Sequence, residues 1–268
     1  MLWNTERRRI ALSYGTAECI LFGTGSCPLV LLPGLGDSLR EGGNPALPVA
    51  FLYRHLGKTH RVAVISRAQP QKPGATTRDM AAELAEIMEK LGFARADVVG
   101  VSMGGMIAQH LAVDFPQLVG KLVRVVTCGR PNPVLEGALD VWCGLAQQGD
   151  YRGFLKENLR LIYTAGYCRK NGWMVPLVSA LTKPRSFAPF FNAAHACRTH
   201  NAWEQLPRIA APTLVLGGEA DRCLGGEASR ELAARILGAR LRMYPGQGHG
   251  LYEEAPDFQQ TVLAFLTE

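Results

Sequence analysis

Serine, glycine and flanking apolar residues occur here in an arrangement that nucleophilic catalysis requires. Residues 100–104 read Gly-Val-Ser-Met-Gly, with Ser102 at the centre, between two apolar segments. A serine on a sharp turn from a strand into a helix projects its hydroxyl above the sheet. Glycines two positions before and after it leave room for that crowded turn. The pattern therefore predicts Ser102 as a nucleophile that attacks a carbonyl carbon.

A serine nucleophile needs a base, because its hydroxyl is only weakly reactive near neutral pH. Among the six histidines, His249 alone lies in a glycine-rich loop just after the last predicted strand. Loops at the carboxyl ends of parallel strands gather at one edge of the sheet, which brings His249 towards Ser102. Asp221, in the loop after the preceding strand, is predicted to orient the imidazole, with Glu219 as the alternative acid.

Attack on a carbonyl also needs donors for the oxyanion that forms. The helix predicted after Ser102 directs the backbone N–H of Met103 at the site. The loop at 33–37 reads Pro-Gly-Leu-Gly-Asp, and its glycines allow a close approach of the backbone to a ligand. We predict the N–H groups of Leu35 and Met103 as the oxyanion hole; a plain turn is the alternative interpretation of the loop.

The elements that must position these residues alternate between strands and helices, after an antiparallel hairpin near the start. Unbroken apolar runs suit strands buried on both faces, so the fold class predicted is α/β with a parallel sheet. Strands are predicted at 8–13, 18–22, 28–32, 61–65, 97–101, 121–127, 213–217 and 240–244. Helices between and after them are predicted at 45–56, 77–91, 103–115, 226–236 and 257–266.

The alternation stops between residues 130 and 206, where helical patterns follow one another at 135–145, 151–162, 173–181 and 187–198. This segment is predicted to be an inserted helical cap, with the core at 1–129 and 207–268. It holds ten of the chain's 21 aromatic residues and a net charge of +4. Aromatics could line a ligand pocket or pack the cap itself, and both interpretations stay open.

Composition limits the partners and the compartment. The formal charge is +6, but the basic residues are scattered except for Arg7-Arg8-Arg9, which suits a solvated edge strand. We therefore expect a small-molecule substrate, with neither a nucleic-acid nor a membrane partner; the oligomeric state stays open. Seven cysteines without zinc-type spacing, and no signal peptide or membrane-spanning stretch, predict a cytoplasmic protein without a metal.

Taken together, these segments resemble the α/β-hydrolase superfamily over nearly the whole chain. Residues 33–38, 100–105, 218–221 and 248–258 carry the resemblance, which does not identify a subfamily. It implies an eight-stranded, mostly parallel sheet with helices on both faces and a helical cap after the sixth strand. It further implies hydrolysis through an acyl-enzyme without a cofactor, and the order serine, aspartate, histidine is the one that this fold uses.

Two departures from the superfamily pattern are visible. Pro33 stands where many relatives have a histidine, and residues 66–74 replace a common Asp-x-x-Gly-x-Gly-x-Ser stretch. The leading hypothesis is a carboxylic-ester hydrolase for a small or medium apolar acyl group. A lactone or carbon–carbon bond hydrolase would use the same residues, and a ligand-binding receptor that retains the fold is the alternative outside enzymes.

Overall fold

The computed structural model describes residues 4–40 and 45–268. Positions 1–3 and 41–44 of the predicted core lie outside the described residues. The described strands are β1 (Glu6–Ala11), β2 (Thr16–Phe22), β3 (Cys27–Leu32), β4 (His60–Ile65), β5 (Ala96–Val101), β6 (Val119–Val125), β7 (Thr213–Gly218) and β8 (Arg240–Tyr244).

These eight strands form one sheet in the order β1-β2-β4-β3-β5-β6-β7-β8. β1 and β2 are antiparallel, β2 is antiparallel to β4, and the remaining pairs are parallel. The predicted α/β class is confirmed, with the predicted N-terminal hairpin at one edge. β1, which carries the arginine run, is an edge strand.

Helices cover the sheet and form the insertion. The described helices are α1 (Ala46–Leu52), α2 (Thr77–Lys90), α3 (Met103–Asp114), α4 (Pro133–Gln147), α5 (Tyr151–Ile162), α6 (Ala165–Asn171), α7 (Val175–Thr182), α8 (Ala188–Arg198), α9 (Gly226–Arg235), α10 (Leu251–Glu254) and α11 (Phe258–Thr267). The helices α4–α8 lie between β6 and β7 and form the helical cap predicted after the sixth strand. The exact division of core and cap at 130 and 206 remains a proposal. None of the described helices is both long and apolar enough to cross a membrane.

Alternation along the central strands builds two core layers. In β3, Val30 and Leu32 belong to one apolar cluster, whereas Leu29 and Leu31 belong to the cluster on the other face. Successive side chains of a strand point to opposite faces, so a run of apolar residues buries both faces. The sheet is consequently held between two helical layers, and its strand ends have fixed positions.

Two helical predictions differ clearly in extent from the structure. The helix predicted at 45–56 ends at Leu52, and the one predicted at 173–181 spans Val175–Thr182 after a 3₁₀ turn. The short helices α6 and α10 were not predicted. α6 buries none of its side chains, and α10 has only four residues, so neither has an apolar period that a sequence pattern could reveal.

Close packing of α3 onto β3 depends on Gly104. A Cβ atom at this position would lie 2.2 Å from the backbone oxygen of Leu32. Such a contact is far inside van der Waals distance, so any larger residue would push the helix off the sheet. Helix α3, which follows Ser102, can therefore lie close to the sheet because position 104 carries no side chain.

We expect Gly104→Ala to lower the free energy of unfolding by about 1–3 kcal/mol, because the added methyl overpacks the interface between α3 and β3. Gly137→Ala in α4 is the matched control, since nothing lies within 4 Å of a Cβ built there. The control should raise stability by about 0.5–1 kcal/mol through helix propensity alone. Urea unfolding measures both changes. The account would be contradicted if both substitutions raised, or both lowered, the free energy of unfolding.

Candidate active site

Ser102 occupies a strained turn at the junction of β5 and α3. Its backbone has φ 53° and ψ −118°, in a region that non-glycine residues rarely adopt. The turn is fixed by two hydrogen bonds: the N–H of Ser102 donates to the carbonyl of Val125 at 2.8 Å, and the hydroxyl of Thr127 donates to the carbonyl of Ser102 at 2.8 Å. The strain is therefore held by contacts to β6 and the residues after it.

The surroundings of this turn leave no room for larger residues. A Cβ atom on Gly100 would lie 2.6 Å from the backbone oxygen of Gly104. A Cβ atom on Gly34 would lie 3.3 Å from the Cβ of Ser102, so the loop at 33–37 packs directly on the serine. The glycine spacing seen in the sequence therefore corresponds to backbone that is packed too tightly for side chains.

His249 and Asp221 form a buried pair. Nδ1 of His249 lies 2.8 Å from Oδ2 of Asp221, and both side chains are almost completely inaccessible to solvent. The loops that carry them are joined by a hydrogen bond from the N–H of Ala220 to the carbonyl of Gln247, and the N–H of Gly250 donates to the carbonyl of Ile162 in α5. These contacts attach both loops to each other and to the cap.

The environment of Asp221 keeps its carboxylate ionised. Burial acts to raise its pKa, but His249 and the backbone N–H groups of Leu224 and Cys223 outweigh burial and hold the pKa below its ordinary value. A carboxylate only accepts hydrogen bonds, so Nδ1 of His249 carries the hydrogen and Nε2 of the neutral ring keeps a free lone pair. The stability that this ionised carboxylate contributes is lost as the pH falls through the lowered pKa.

Glu219, the alternative acid, lies elsewhere. Its side chain is exposed and pairs with Arg230, with a separation of 3.1 Å between the carboxylate and the guanidinium. Only Asp221 of the two candidates contacts His249. Of the two carboxylates that the sequence left open, the one in contact with the imidazole is therefore that of Asp221.

Two other histidines, His110 and His200, lie in the core with their rings edge to face, 5.2 Å apart between centroids. The ring of His200 lies 2.8 Å from the hydroxyl of Thr77 and 3.3 Å from Oε1 of Gln109. Burial is the main cause that lowers the pKa of His110 to about 4, and nearby positive charge adds to it. The same two causes lower the pKa of His200 well below its usual range. Both rings are therefore neutral structural groups at neutral pH.

Ser102 and His249 share one cavity but do not bond directly. Among the hydrogen bonds of the described residues, none joins the Ser102 hydroxyl to His249. Both residues line a cavity of about 400 Å³, as do Leu35 and Met106. Catalytic hydrogen bonds are often long in the absence of a substrate. The structure thus brings the serine to the same cavity as the buried pair.

The cap supplies the apolar wall of this cavity. In α4 the lining residues are Leu135, Leu139 and Trp142, at intervals that place them on one face of the helix. From α5 and α8, Phe154 and Phe190 face the same space. The volume falls within the range of small-molecule sites, and the lining is mainly aliphatic and aromatic.

An ion pair that the sequence analysis missed supports the loop beside Ser102. The guanidinium of Arg67 donates to the carbonyls of Pro33 at 2.7 Å and Gly34 at 2.5 Å, and lies 3.2 Å from Oδ2 of Asp37. Oδ1 of Asp37 accepts a hydrogen bond from the hydroxyl of Ser66. Arg67 thus binds the loop at 33–37 through its backbone carbonyls and Asp37, in a chain that lacks a histidine at position 33.

Comparison with known proteins places this geometry in a family. The sequence profile of the alpha/beta hydrolase family matches residues 29–258, which is most of the chain. The chain belongs to the alpha/beta hydrolase family. This finding confirms the superfamily expected from the motifs and agrees with the architecture of the sheet and cap.

Individual relatives of this alpha/beta hydrolase are distant. The putative carbamate hydrolase RutD of Stutzerimonas stutzeri (strain A1501) is 26% identical over 251 residues, covering 90% of this chain and 91% of the relative. The putative non-heme bromoperoxidase BpoC of Mycobacterium tuberculosis (strain CDC 1551 / Oshkosh) is 31% identical over 259 residues, covering 90% and 93%. Their names describe different activities, so they leave the substrate open.

The fold is shared with solved structures. The enol-lactonase from Burkholderia xenovorans LB400 superposes with a TM-score of 0.82, covering 97% of this chain and 100% of the other. Sequence identity is 22%, so the likeness extends to the fold alone. The architecture that positions the hydrolase site is therefore common to proteins that differ widely in sequence.

A metal is poorly suited to this site. Within residues 4–40 and 45–268, the one group of His, Cys, Asp and Glu dense enough to hold an ion is Asp221, Cys223 and His249. The imidazole–carboxylate hydrogen bond already uses one atom from each of two members. Burial raises the pKa of the Cys223 thiol well above its ordinary value, which disfavours the thiolate that a metal would need.

Sequence signals for the missed pair exist, but they are weak. Asp37 follows β3 and Arg67 follows β4, and these strands are neighbours in the sheet. Opposite charges directly after adjacent strands could have indicated a contact. The sequence does not show, however, that these two charged side chains are buried and face each other.

We expect Arg67→Met to lower the free energy of unfolding by about 3–5 kcal/mol, because it leaves the Asp37 carboxylate buried without its cation. Asp37→Asn combined with Arg67→Met should cost less than the sum of the single changes. Arg240→Met is the control, since Arg240 pairs with Glu268 on the exposed surface. It should cost less than about 1 kcal/mol. Urea unfolding of the two single variants and the double variant measures these costs. If the costs of the two single changes simply added in the double variant, the coupling between Asp37 and Arg67 would be contradicted.

Proposed function

We propose that this chain is a serine hydrolase that cleaves carboxylic esters with a small or medium apolar acyl group. The observation that carries the proposal is the buried hydrogen bond of 2.8 Å between His249 and Asp221, in a cavity that Ser102 also lines. A serine, an imidazole with a free Nε2 and an ionised carboxylate are the groups that acyl transfer through a covalent intermediate requires.

The proposed reaction has two halves. His249 takes the proton of the Ser102 hydroxyl as its oxygen attacks the ester carbonyl, and the protonated imidazole then donates that proton to the leaving alcohol. Water repeats the sequence on the acyl-enzyme, which releases the acid and restores the serine. Asp221 keeps the hydrogen on Nδ1 and stabilises the imidazolium in both halves.

The backbone N–H groups of Leu35 and Met103 are the proposed oxyanion hole. Leu35 begins a 3₁₀ helix and Met103 begins α3, so each is the first residue of its element. First-turn N–H groups lack intrahelical acceptors, and neither donates to other backbone in the described part of the chain. Leu35 lies in the loop that Arg67 holds against Ser102, which supports a fixed position for this donor.

The lining of the cavity supports the choice of substrate class. Aliphatic and aromatic side chains from the cap surround the space next to Ser102, and they favour an acyl chain over a charged group. We extend the proposal to the cytoplasm as the place of action, because the seven cysteines are free thiols, as expected in a reducing compartment.

A lactone hydrolase is the second candidate. A lactone is a cyclic ester, so the same three residues would open it without any change in mechanism. An enol-lactonase shows that the shared fold can carry such a reaction, although its likeness to this chain extends to the fold alone. Substrate panels distinguish the two candidates, because ring opening releases no separate alcohol.

Turnover of p-nitrophenyl esters of increasing acyl length, together with simple lactones, tests the proposed function. Ser102→Ala should lower kcat for esters on the order of 10³-fold or more, because it removes the nucleophile. Ser26→Ala is the control: Ser26 is exposed and far along the chain from the site, and its loss should leave kcat unchanged.

Two outcomes of this panel would overturn the proposal. One is folded Ser102→Ala protein that keeps more than about a tenth of the wild-type kcat, which would require another nucleophile. The other is tight retention of esters by the wild type without turnover, which would favour a ligand-binding receptor.

We expect Trp142→Phe to shift the preferred acyl chain towards longer esters by about one to two carbons, because it enlarges the apolar wall. The exchange loses no hydrogen bond, since the buried Nε1 of Trp142 has no partner among the described residues. Trp203→Phe is the control, because Trp203 stacks under Arg130 and does not line the cavity. If the folded Trp142→Phe variant kept the wild-type dependence of kcat/KM on acyl chain length, Trp142 would not contribute to the choice of acyl group.

A further inference from the structure

One stretch of the cap carries positive charge only. Residues 158–203 contain six Lys and Arg side chains and no Asp or Glu. Arg160 pairs with Glu157 and Arg198 with Asp140, two acids outside this stretch, and Arg185 is also engaged in an interaction. Three further cations of the stretch are exposed and make no ion pair within the described ranges; we call them the basic flank: Arg169, Lys170 and Lys183.

Between the members of the basic flank lies a line of exposed apolar side chains. Trp173 is 73% exposed, Leu177 58% and Leu181 75%. They are spaced four residues apart along the 3₁₀ turn and α7, so they follow one face of this segment. We call these three residues the apolar stripe. α7 buries none of its residues, although six of its eight residues are apolar.

The apolar stripe is held on the outside of the cap. α7 packs against α5, and the hydroxyl groups of Tyr151 and Thr182 lie 3.1 Å apart. α5 in turn lines the cavity through Phe154 and Asn158. The surface that carries the stripe is therefore connected through one helix to the wall of the candidate active site.

The chemistry of this surface discriminates between possible occupants. A symmetric contact with a second copy would place the basic flank of one chain near that of the other, and like charges would repel. Protein interfaces are depleted in lysine, whereas helices at a bilayer surface combine Trp and Leu with flanking Lys and Arg. An anionic lipid surface fits both features: its negative headgroups would contact the basic flank, and its acyl chains would contact the apolar stripe.

We propose that the apolar stripe and the basic flank form a docking surface for a bilayer with anionic headgroups. The stripe enters the interface between headgroups and acyl chains, and Arg169, Lys170 and Lys183 contact lipid phosphates. The proposal differs from the expectation, drawn from the sequence, that the chain has no membrane partner, because these three cations lie before and after one exposed apolar helix. The proposal does not depend on the proposed hydrolysis.

Co-sedimentation with vesicles tests the docking surface. The probes are vesicles of phosphatidylcholine alone and vesicles of phosphatidylcholine with phosphatidylglycerol, at low and high salt. The wild type should bind the anionic vesicles at least about tenfold more tightly than the neutral ones, and added salt should weaken this binding.

Two pairs of variants separate the stripe from the flank. Leu177→Ser with Leu181→Ser removes apolar contact, and Lys170→Glu with Lys183→Glu reverses two charges. Each pair should weaken binding to the anionic vesicles by about tenfold or more. The controls are Leu237→Ser, at a leucine 92% exposed outside the cap, and Lys58→Glu with Arg208→Glu, an equal charge change elsewhere. Both controls should bind as the wild type does, and circular dichroism and Tm should show that every variant is folded.

Three results would overturn the proposal. The first is no binding of the wild type to anionic vesicles, which leaves an acidic protein as the remaining partner. The second is binding that the two cap variants and the controls lose equally. The third is a dimer of the wild type that Leu177→Ser with Leu181→Ser dissociates, because the stripe would then join two copies of the chain.

Discussion

The backbone turn at Ser102 is the constraint on which the rest of the site depends. A positive φ of 53° at a non-glycine residue is unfavourable, and it persists only where surrounding structure enforces it. Here β6 enforces it from one side through the carbonyl of Val125, and Thr127 does so through its hydroxyl. The glycines around the turn let β5, α3 and the loop at 33–37 approach closely enough for these contacts to form.

From this turn, the remaining parts of the site follow the geometry of the sheet. β7 and β8 are successive parallel neighbours beyond β6, and the loops after them carry Asp221 and His249. On the other side, β3 leads into the loop that carries Leu35, which Arg67 at the end of β4 supports. The cap closes over these loop ends and contributes apolar side chains, so the sheet determines the chemistry and the cap shapes the space beside it.

Much of this arrangement could be predicted from the sequence, because strand order and strand ends govern it. Ser102 was found from glycine spacing, and His249 and Asp221 from loops that follow apolar strands. Arg67 and Asp37 were not found, because the sequence does not show that these two charged side chains are buried and face each other. The roles assigned to Ser102, His249 and Asp221 remain predictions from chemistry and geometry.

The aromatic residues of the cap show a second limit of sequence reasoning. Trp142 and Phe190 line the cavity, Trp203 stacks under Arg130, and Trp173 is exposed. Helical periodicity indicates which residues share a face of one helix, but it does not indicate what that face contacts. The answer depends on the angles at which the cap helices pack, and those angles emerge only in the folded structure.

Covalent trapping of the nucleophile tests the central claim most directly. A p-nitrophenyl alkylphosphonate reacts with an activated serine and leaves a stable phosphonyl adduct on it, which mass spectrometry of the digested protein can locate. The account predicts one adduct, on the peptide that contains Ser102, with loss of esterase activity in proportion to labelling and slow labelling after His249→Ala. Complete inactivation with the adduct on another residue, or full esterase activity of protein labelled at Ser102, would contradict it.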